Sequence, residues 1–397
     1  MSDLPLFSSS FVELHRCNRH VIAELRAPAR VISTCHVNGG LRGDLRYLVN
    51  HQSCEAVKHQ ERFALISSLG QDGYHRHVCG ELGIDPAHTV LMGTAAAMQY
   101  VGIVTHRWDD LEVTAVVTAG VTGNAGCAGD AAHYDERDGS WQRTSADRFE
   151  DKSPGTHGGT VNTLLFFSTP LTDSALARAV MTMTEAKTSA LLELAIGSRG
   201  SWRLATGTGT DQYAIAAPEN GGPRRTWTGK HTKAGELIGQ AVREATLEAL
   251  RWQNGLEPSY TRSLFHALGR FGLTEEAFKF AQESLLSESE FQLLTGNWKP
   301  VVYEPQLAAA GYAFAAVLDR VLAGTFGASS ARESLLHQAA LMAAGLAGQP
   351  DNFASFRREL LPHLPTELGP APDALIAAAI ALAQRAVALG WQRKWVT

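Results

Sequence analysis

The chain lacks most of the signatures that would place it quickly. Its 397 residues include only 5 cysteines, an odd number without a Cys-x-x-Cys pair, so neither a disulfide framework nor a thiolate metal site is expected and reduced cytoplasmic thiols are. No HExxH or HxxxH spacing offers a zinc site, and no metal or cofactor is called for. Gly-x-Ser-x-Gly, the nucleophile elbow of many serine hydrolases, is missing. So is a phosphate loop, because the Gly-rich run at Thr206 to Asp211 has no Gly-Lys-Ser/Thr ending. With 35 basic and 40 acidic side chains the net charge is -5, which gives no field to draw the chain to nucleic acid or anionic lipid. A small-molecule partner is expected instead. The longest apolar stretch, Ala374 to Ala383, is shorter than the roughly 18 residues that span a bilayer. Glu13, His15 and Arg16 interrupt any leader-like run, so no membrane span or export is expected.

What is present is the composition of a globular protein, 45% hydrophobic and 19% charged, long enough for two domains or more. Near Gly255 and Pro258 a Gly- and Thr-rich region gives way to Ala- and Leu-rich sequence, which sets expected domains at 1–258 and 259–397. After the boundary, Ser284 to Leu294, Gln306 to Leu322, Ala331 to Leu346 and Ala371 to Leu389 have helical spacing. Before it, Val113 to Thr118 and Val161 to Phe167 read as buried strands among helical stretches. The fold class is therefore α/β, a layered sheet with packing helices, followed by an all-α domain. Asp173 is the expected N-cap of a helix to about Leu194. Its apolar stripe carries Lys187, which needs a buried partner or a route to solvent.

Four blocks set polar residues among glycines, where backbone can approach a ligand. They are Ser33 to Gly40 with Arg46 to His51; Thr118 to Asp130; 158 to Asn162; and Thr184 to Thr188 joined to Ala205 to Asp211 and Gly229 to Lys233. Candidate substrate-binding residues are Asn38, Gly39, Gly40, Asn50, Gly120, Asn124, Asp130, Asn162, Thr188 and Thr208. The four asparagines serve equally well as caps and turn-holders. His36, His51, His157 and His231 are candidate bases or ligands, although most of 15 histidines must be ordinary. Glu185 and Asp211 are the candidate general bases, since amide hydrolysis by water requires a proton acceptor.

These blocks resemble, in order, the adenosylcobinamide amidohydrolase family. The matching runs are Asn38-Gly39-Gly40, Arg46-Tyr47-Leu48-Val49-Asn50, Met92-Gly93-Thr94-Ala95-Ala96, Thr118-Ala119-Gly120-Val121 with Asn124-Ala125 and Ala128-Gly129-Asp130, Gly159-Thr160-Val161-Asn162, Thr184 to Leu191, and Ala205 to Asp211. The resemblance covers about residues 28 to 250. It implies hydrolysis of the amide between a corrin ring carboxylate and its aminopropanol arm, giving adenosylcobyric acid for cobamide salvage. The stretch Ala131 to Thr156 is longer than the family's usual connection, and residues 259–397 have no counterpart in its short form.

The expected mechanism uses Glu185 or Asp211 to activate water, with Lys187 or His231 pairing the base or helping the amine leave. Backbone N–H groups of Gly120 to Asn124 or Gly207 to Gly209 would stabilise the oxyanion. Self-cleavage before Thr160 or Thr208 to expose a threonine nucleophile is a second route. Two other classes stay open: an amidase for another bulky chelate such as an imported siderophore, and a protein that binds a chelate without cutting it. The C-terminal helices suit a homo-oligomer contact, a lid or a docking platform, and core packing is the expected use of Phe278, Phe280, Trp298 and Tyr303.

Overall fold

A computed structural model of the chain describes residues 4–54, 59–144, 159–365 and 371–395. His157 and much of the Ala131 to Thr156 stretch lie outside them. Contacts divide the chain into Met1–Leu256 and Glu257–Thr397.

The first unit contains two sheets. A five-stranded sheet runs in the order β1 (Phe7–Ser8), β2 (Val12–Cys17), β3 (His20–Leu25), β6 (Tyr47–Gln52), β7 (Thr89–Thr94). A six-stranded sheet runs β5 (Gly40–Arg42), β4 (Ala29–Ser33), β15 (Gln212–Pro218), β13 (Val161–Phe167), β9 (Leu111–Ala119), β8 (Gly102–Trp108). Only β6–β7 and β13–β15 pair in parallel within these sheets. Two small antiparallel pairs complete the strands: β10 (Ala125–Gly126) with β14 (Gly207–Thr208), and β11 (Tyr134–Arg137) with β12 (Ser140–Arg143).

Alternation along the central strands assigns their faces. Val116, Leu164, Phe166, Ala214 and Ala216 pack with Leu14, Leu48 and Met92 of the other sheet. Val113, Ala115, Val117, Leu165, Phe167 and Ile215 pack instead with helices α2 (Asp173–Glu193) and α3 (Lys233–Asn254). Layers of sheet, sheet and helix result, in which a strand such as β13, buried at every position, must be apolar on both faces. Burying each Leu or Phe there contributes about 2 kcal/mol.

Caps set the helix limits. The N-cap of α2 is Thr172, whose hydroxyl accepts from the Ala175 N–H, and not Asp173, which sits one residue inside and takes a bidentate hydrogen bond from Arg30 at 3.1 and 2.8 Å. Thr232 caps α3, and Gly255, at φ 65°, closes it in the left-handed region. Helix α1 (His59–Leu82) breaks at Gly70, where φ is 65°.

The second unit has helices α4 (Pro258–Thr261), α5 (Leu264–Leu268), α6 (Glu275–Leu285), α7 (Glu288–Val302), α8 (Pro305–Leu322), α9 (Ala328–Ala347), α10 (Phe353–Leu360) and α11 (Pro372–Arg393). The expected helix Ser284 to Leu294 is two helices, because Ser287 and Glu290 form a reciprocal capping box that starts α7. Phe278 is buried and packs on Phe265 and Trp298, whereas Phe280 is 75% exposed and outside the core. By length and composition α11 could cross a membrane; Leu375, Ile376, Leu382 and Val387 on it are buried within the unit.

Candidate active site

At one end of the space between the sheets lies a cleft of about 340 Å³. Its walls come from both sheets and from α1: His51 of β6 with Ser53 and Cys54 after it, Leu91 and Gly93 to Ala95 along and after β7, Gly159, Thr160, Thr210 and Gln212 at the start of β13 and β15, Asn124, and Ile66, Gln71, Tyr74 and His75 of α1, with His36 and Val37 completing it. Among the described residues no carboxylate, ammonium or guanidinium lines it.

The face alternation explains who points where. Thr160, Thr210 and Gln212 share the face of Leu164 and Ala214 and so look between the sheets, where Gln212 Oε1 accepts from the Gly93 N–H at 3.1 Å. Thr160 and Thr210 place their hydroxyl oxygens 2.6 Å apart. Asn124 donates to Thr210 Oγ1 at 3.1 Å and to the Gly159 carbonyl at 3.0 Å. Gly159 and Gly120 meet so closely that a Cβ on Gly159 would lie 2.7 Å from the Gly120 carbonyl oxygen.

Asp211 has the opposite parity and turns to the helix side. There it meets Lys187 of α2, Nζ to Oδ2 2.5 Å, with side chains only 13% and 16% exposed. The same carboxylate accepts from the Val161 N–H at 2.9 Å, the Thr208 N–H at 3.0 Å and the Thr208 hydroxyl at 2.5 Å. Lys187 thus has the partner that its place on the stripe demands. Gly207 fits because it has no side chain; its Cβ would fall 2.5 Å from Asp211 Oδ2 and 2.8 Å from Lys187 Nζ. Thr188, next to Lys187, donates to the Thr206 carbonyl at 2.8 Å. The pair and its threonines therefore clamp the loop whose next residues, Thr210 and Gln212, form the cleft wall.

Imidazoles and a phenol stand among the cleft's other polar groups. His51 is fully buried, its Nε2 2.7 Å from the Tyr74 hydroxyl oxygen, its ring stacked on His20 at 4.6 Å. Burial first, then the neighbouring basic groups, pushes its pKa down to about 2, so the ring is neutral. Burial raises the Tyr74 pKa and keeps the phenol protonated. His75 Nε2 lies 3.0 Å from the Pro86 carbonyl, which only accepts, so that nitrogen carries the proton. His51 Nδ1 and His75 Nδ1 are buried without partners among the described residues. Sequence reasoning missed Tyr74 and His75, since they sit on a kinked helix without a glycine block to draw attention.

Several expected residues have other places. Glu185, two positions from Lys187 and so on another side of α2, forms an exposed ion pair with Lys230. His231 is exposed just before the α3 cap. Neither joins Asp211 and Lys187 nor lines the cleft, so the four expected catalytic groups do not converge. Asn50 and Asn162 are wholly buried and pin the sheets together: Asn50 donates to Thr118 Oγ1 at 2.7 Å, and Asn162 to Asn50 Oδ1 at 3.0 Å and to the Gly93 carbonyl at 3.1 Å. Asp130 is a loop anchor. Burial alone would raise its pKa, but hydrogen bonds from Ser198, Ser201, the Cys127 N–H and Arg203 outweigh that and hold it below the usual carboxylate range. The expected oxyanion donors are largely occupied, because the Gly120 N–H donates to the Thr160 carbonyl, Val121 to Asn254, Thr208 to Asp211 and Gly209 to the Asn124 carbonyl.

Asn38, at φ 57°, donates to the carbonyls of Pro86 and Thr89 at 2.8 and 2.7 Å. A Cβ on Gly39 would overlap the Cys35 carbonyl, and Gly40 has φ 79°. These three shape a turn and do not line the cleft.

Comparison with known proteins bears on the same region. An uncharacterized protein of Methanocaldococcus jannaschii is 37% identical over 186 residues, 46% of this chain and 71% of that one. The crystal structure of a Pyrococcus horikoshii protein, PH0078, overlaps 62% of this chain and 82% of its own at 8% identity and a TM-score of 0.30, too slight a likeness to argue from. The family described as adenosylcobinamide amidohydrolase matches residues 7–258, more than half the chain and all but the first six residues of the unit that holds the cleft. On that match, which takes in every strand and both walls of the cleft, the chain belongs to the adenosylcobinamide amidohydrolase family.

Proposed function

We propose that the chain hydrolyses the amide joining a corrin ring carboxylate to its aminopropanol arm, converting adenosylcobinamide to adenosylcobyric acid for cobamide salvage. The observation that carries this reading is the coincidence of the family match with a cleft that gathers hydroxyl, amide, phenol and imidazole groups from both sheets and α1. At about 340 Å³ the cleft is at the small end of ligand pockets. It suits the arm and its amide, with the macrocycle at the mouth. A cleft lined without formal charge suits an uncharged amide and hydroxyl.

In this reading the Tyr74 hydroxyl donates to the amide carbonyl. Neutral His51 holds it there. An unpaired buried N–H is rarer than an unpaired acceptor, which favours the tautomer with the proton on Nε2, donated to the phenol oxygen, and leaves the phenol proton for the substrate. Lys187 and Asp211 act through the wall they brace and do not touch the substrate. The test is incubation with adenosylcobinamide: release of aminopropanol supports the reading and an unchanged substrate refutes it. Tyr74→Phe is expected to lower kcat by about 10²- to 10³-fold, as loss of one oxyanion donor does elsewhere.

A further inference from the structure

Amide hydrolysis needs a group that takes a proton from water and returns one to the departing amine. Asp211 already accepts from Lys187, Val161 and Thr208 on the helix side of the sheet. We infer that His36 is that group, an inference that rests on the reaction proposed above.

Three imidazoles line the cleft. His51 is bonded to Tyr74 through one nitrogen and buried at the other, and His75 is bonded to Pro86 and buried in the same way. Neither offers a ring nitrogen to water in the cleft. His36 is exposed, and no hydrogen bond or ion pair holds its ring among the described residues.

The surrounding turn is built to keep it there. On one flank Thr34 is tied to β15, its N–H donating to the Tyr213 carbonyl at 3.1 Å and its hydroxyl accepting from the Tyr213 N–H at 3.0 Å. On the other, Asn38 is held in the left-handed region by its two hydrogen bonds to the start of β7, and Gly39 packs directly on the Cys35 carbonyl. A non-glycine residue at positive φ is uncommon and persists where its surroundings fix it. The Asn38-Gly39-Gly40 block thus fixes the position of an imidazole that itself makes no structural bond.

In the step assigned to it, His36 takes a proton from water as the water oxygen bonds to the amide carbon. The imidazolium then gives that proton to the nitrogen as the C–N bond breaks. Carboxylic acid and amine result, and no oxidant, metal or second reactant enters.

The experiment measures aminopropanol release from adenosylcobinamide by the full chain, His36→Gln and His36→Ala. Both variants are expected to lose about 10²- to 10⁴-fold in kcat, with KM within about threefold and the melting temperature unchanged. Added imidazole is expected to restore His36→Ala at least tenfold, because a small base can take over a proton transfer but not a structural contact. Variants that turn over within threefold of the unmodified chain, or that lose only in KM, overturn the assignment of His36 alone. An unmodified chain that leaves adenosylcobinamide intact overturns the reaction on which it rests.

Discussion

Lys187 and Glu185 sit two positions apart on α2, each in an ion pair, and burial separates their worth. The Lys187–Asp211 pair is 13% and 16% exposed and ties three further donors, while Glu185 and Lys230 are 51% and 68% exposed. Removing one partner of a buried pair strands the other charge. Asp211→Asn is therefore expected to destabilise the fold by about 3 kcal/mol in urea titration, and Glu185→Gln by no more than about 1 kcal/mol with turnover near normal. His51 adds a pH dependence. Its folded pKa, about 2, lies below its ordinary 6.5, so acid protonates the unfolded chain first and stability falls as pH drops below about 6.5. The slope approaches about 1.4 kcal/mol per pH unit, and His51→Gln is expected to flatten it. At this scale Lys187's need for a partner was legible from its stripe. Asp211 as that partner was one of two carboxylates the sequence left open, since a loop residue just before β15 leaves no periodic trace. The cleft-lining role of Tyr74 and His75 was not legible, because exposure and partner geometry are not written in spacing, and His36 was one of four candidate imidazoles.

Strands β9 and β13 could be read from the sequence because both faces are apolar, so unbroken β-branched and aromatic runs mark them. The five-stranded sheet was not, since Glu13 and His15 in β2 and His20 and Glu24 in β3 alternate with the core residues Val12, Leu14, Val21 and Ala23, so no unbroken apolar run marks these strands. The helices of the second unit were legible by period, except where the Ser287 capping box divides one apparent run. At element scale the close approaches are the sharpest test. A Cβ on Gly102 of β8 would overlap the Ala245 carbonyl of α3, and backbone cannot give way as a side chain can. Gly102→Ala is expected to lower the melting temperature by several degrees, with a loss of about 1–3 kcal/mol. Thr172→Ala is expected to cost about 1 kcal/mol as loss of a cap, and Asp173→Ala less, which a denaturation series would order.

For the whole molecule, the family match and the cleft both fall within the first compact unit. A chain ending at Leu256 is therefore expected to keep aminopropanol release within a few-fold of the full chain; loss of all activity would assign residues 257–397 a part in the reaction. Family membership could be read from the order of the glycine blocks, whereas their roles could not: Asn50 and Asn162 join the sheets, and Asp211 with Lys187 braces a wall. The most direct test of the account is mass analysis of adenosylcobinamide and a hydroxamate siderophore after incubation with the full chain. The account expects adenosylcobyric acid and free aminopropanol from the first and no change in the second. Intact adenosylcobinamide, or cleavage of the siderophore alone, would contradict it.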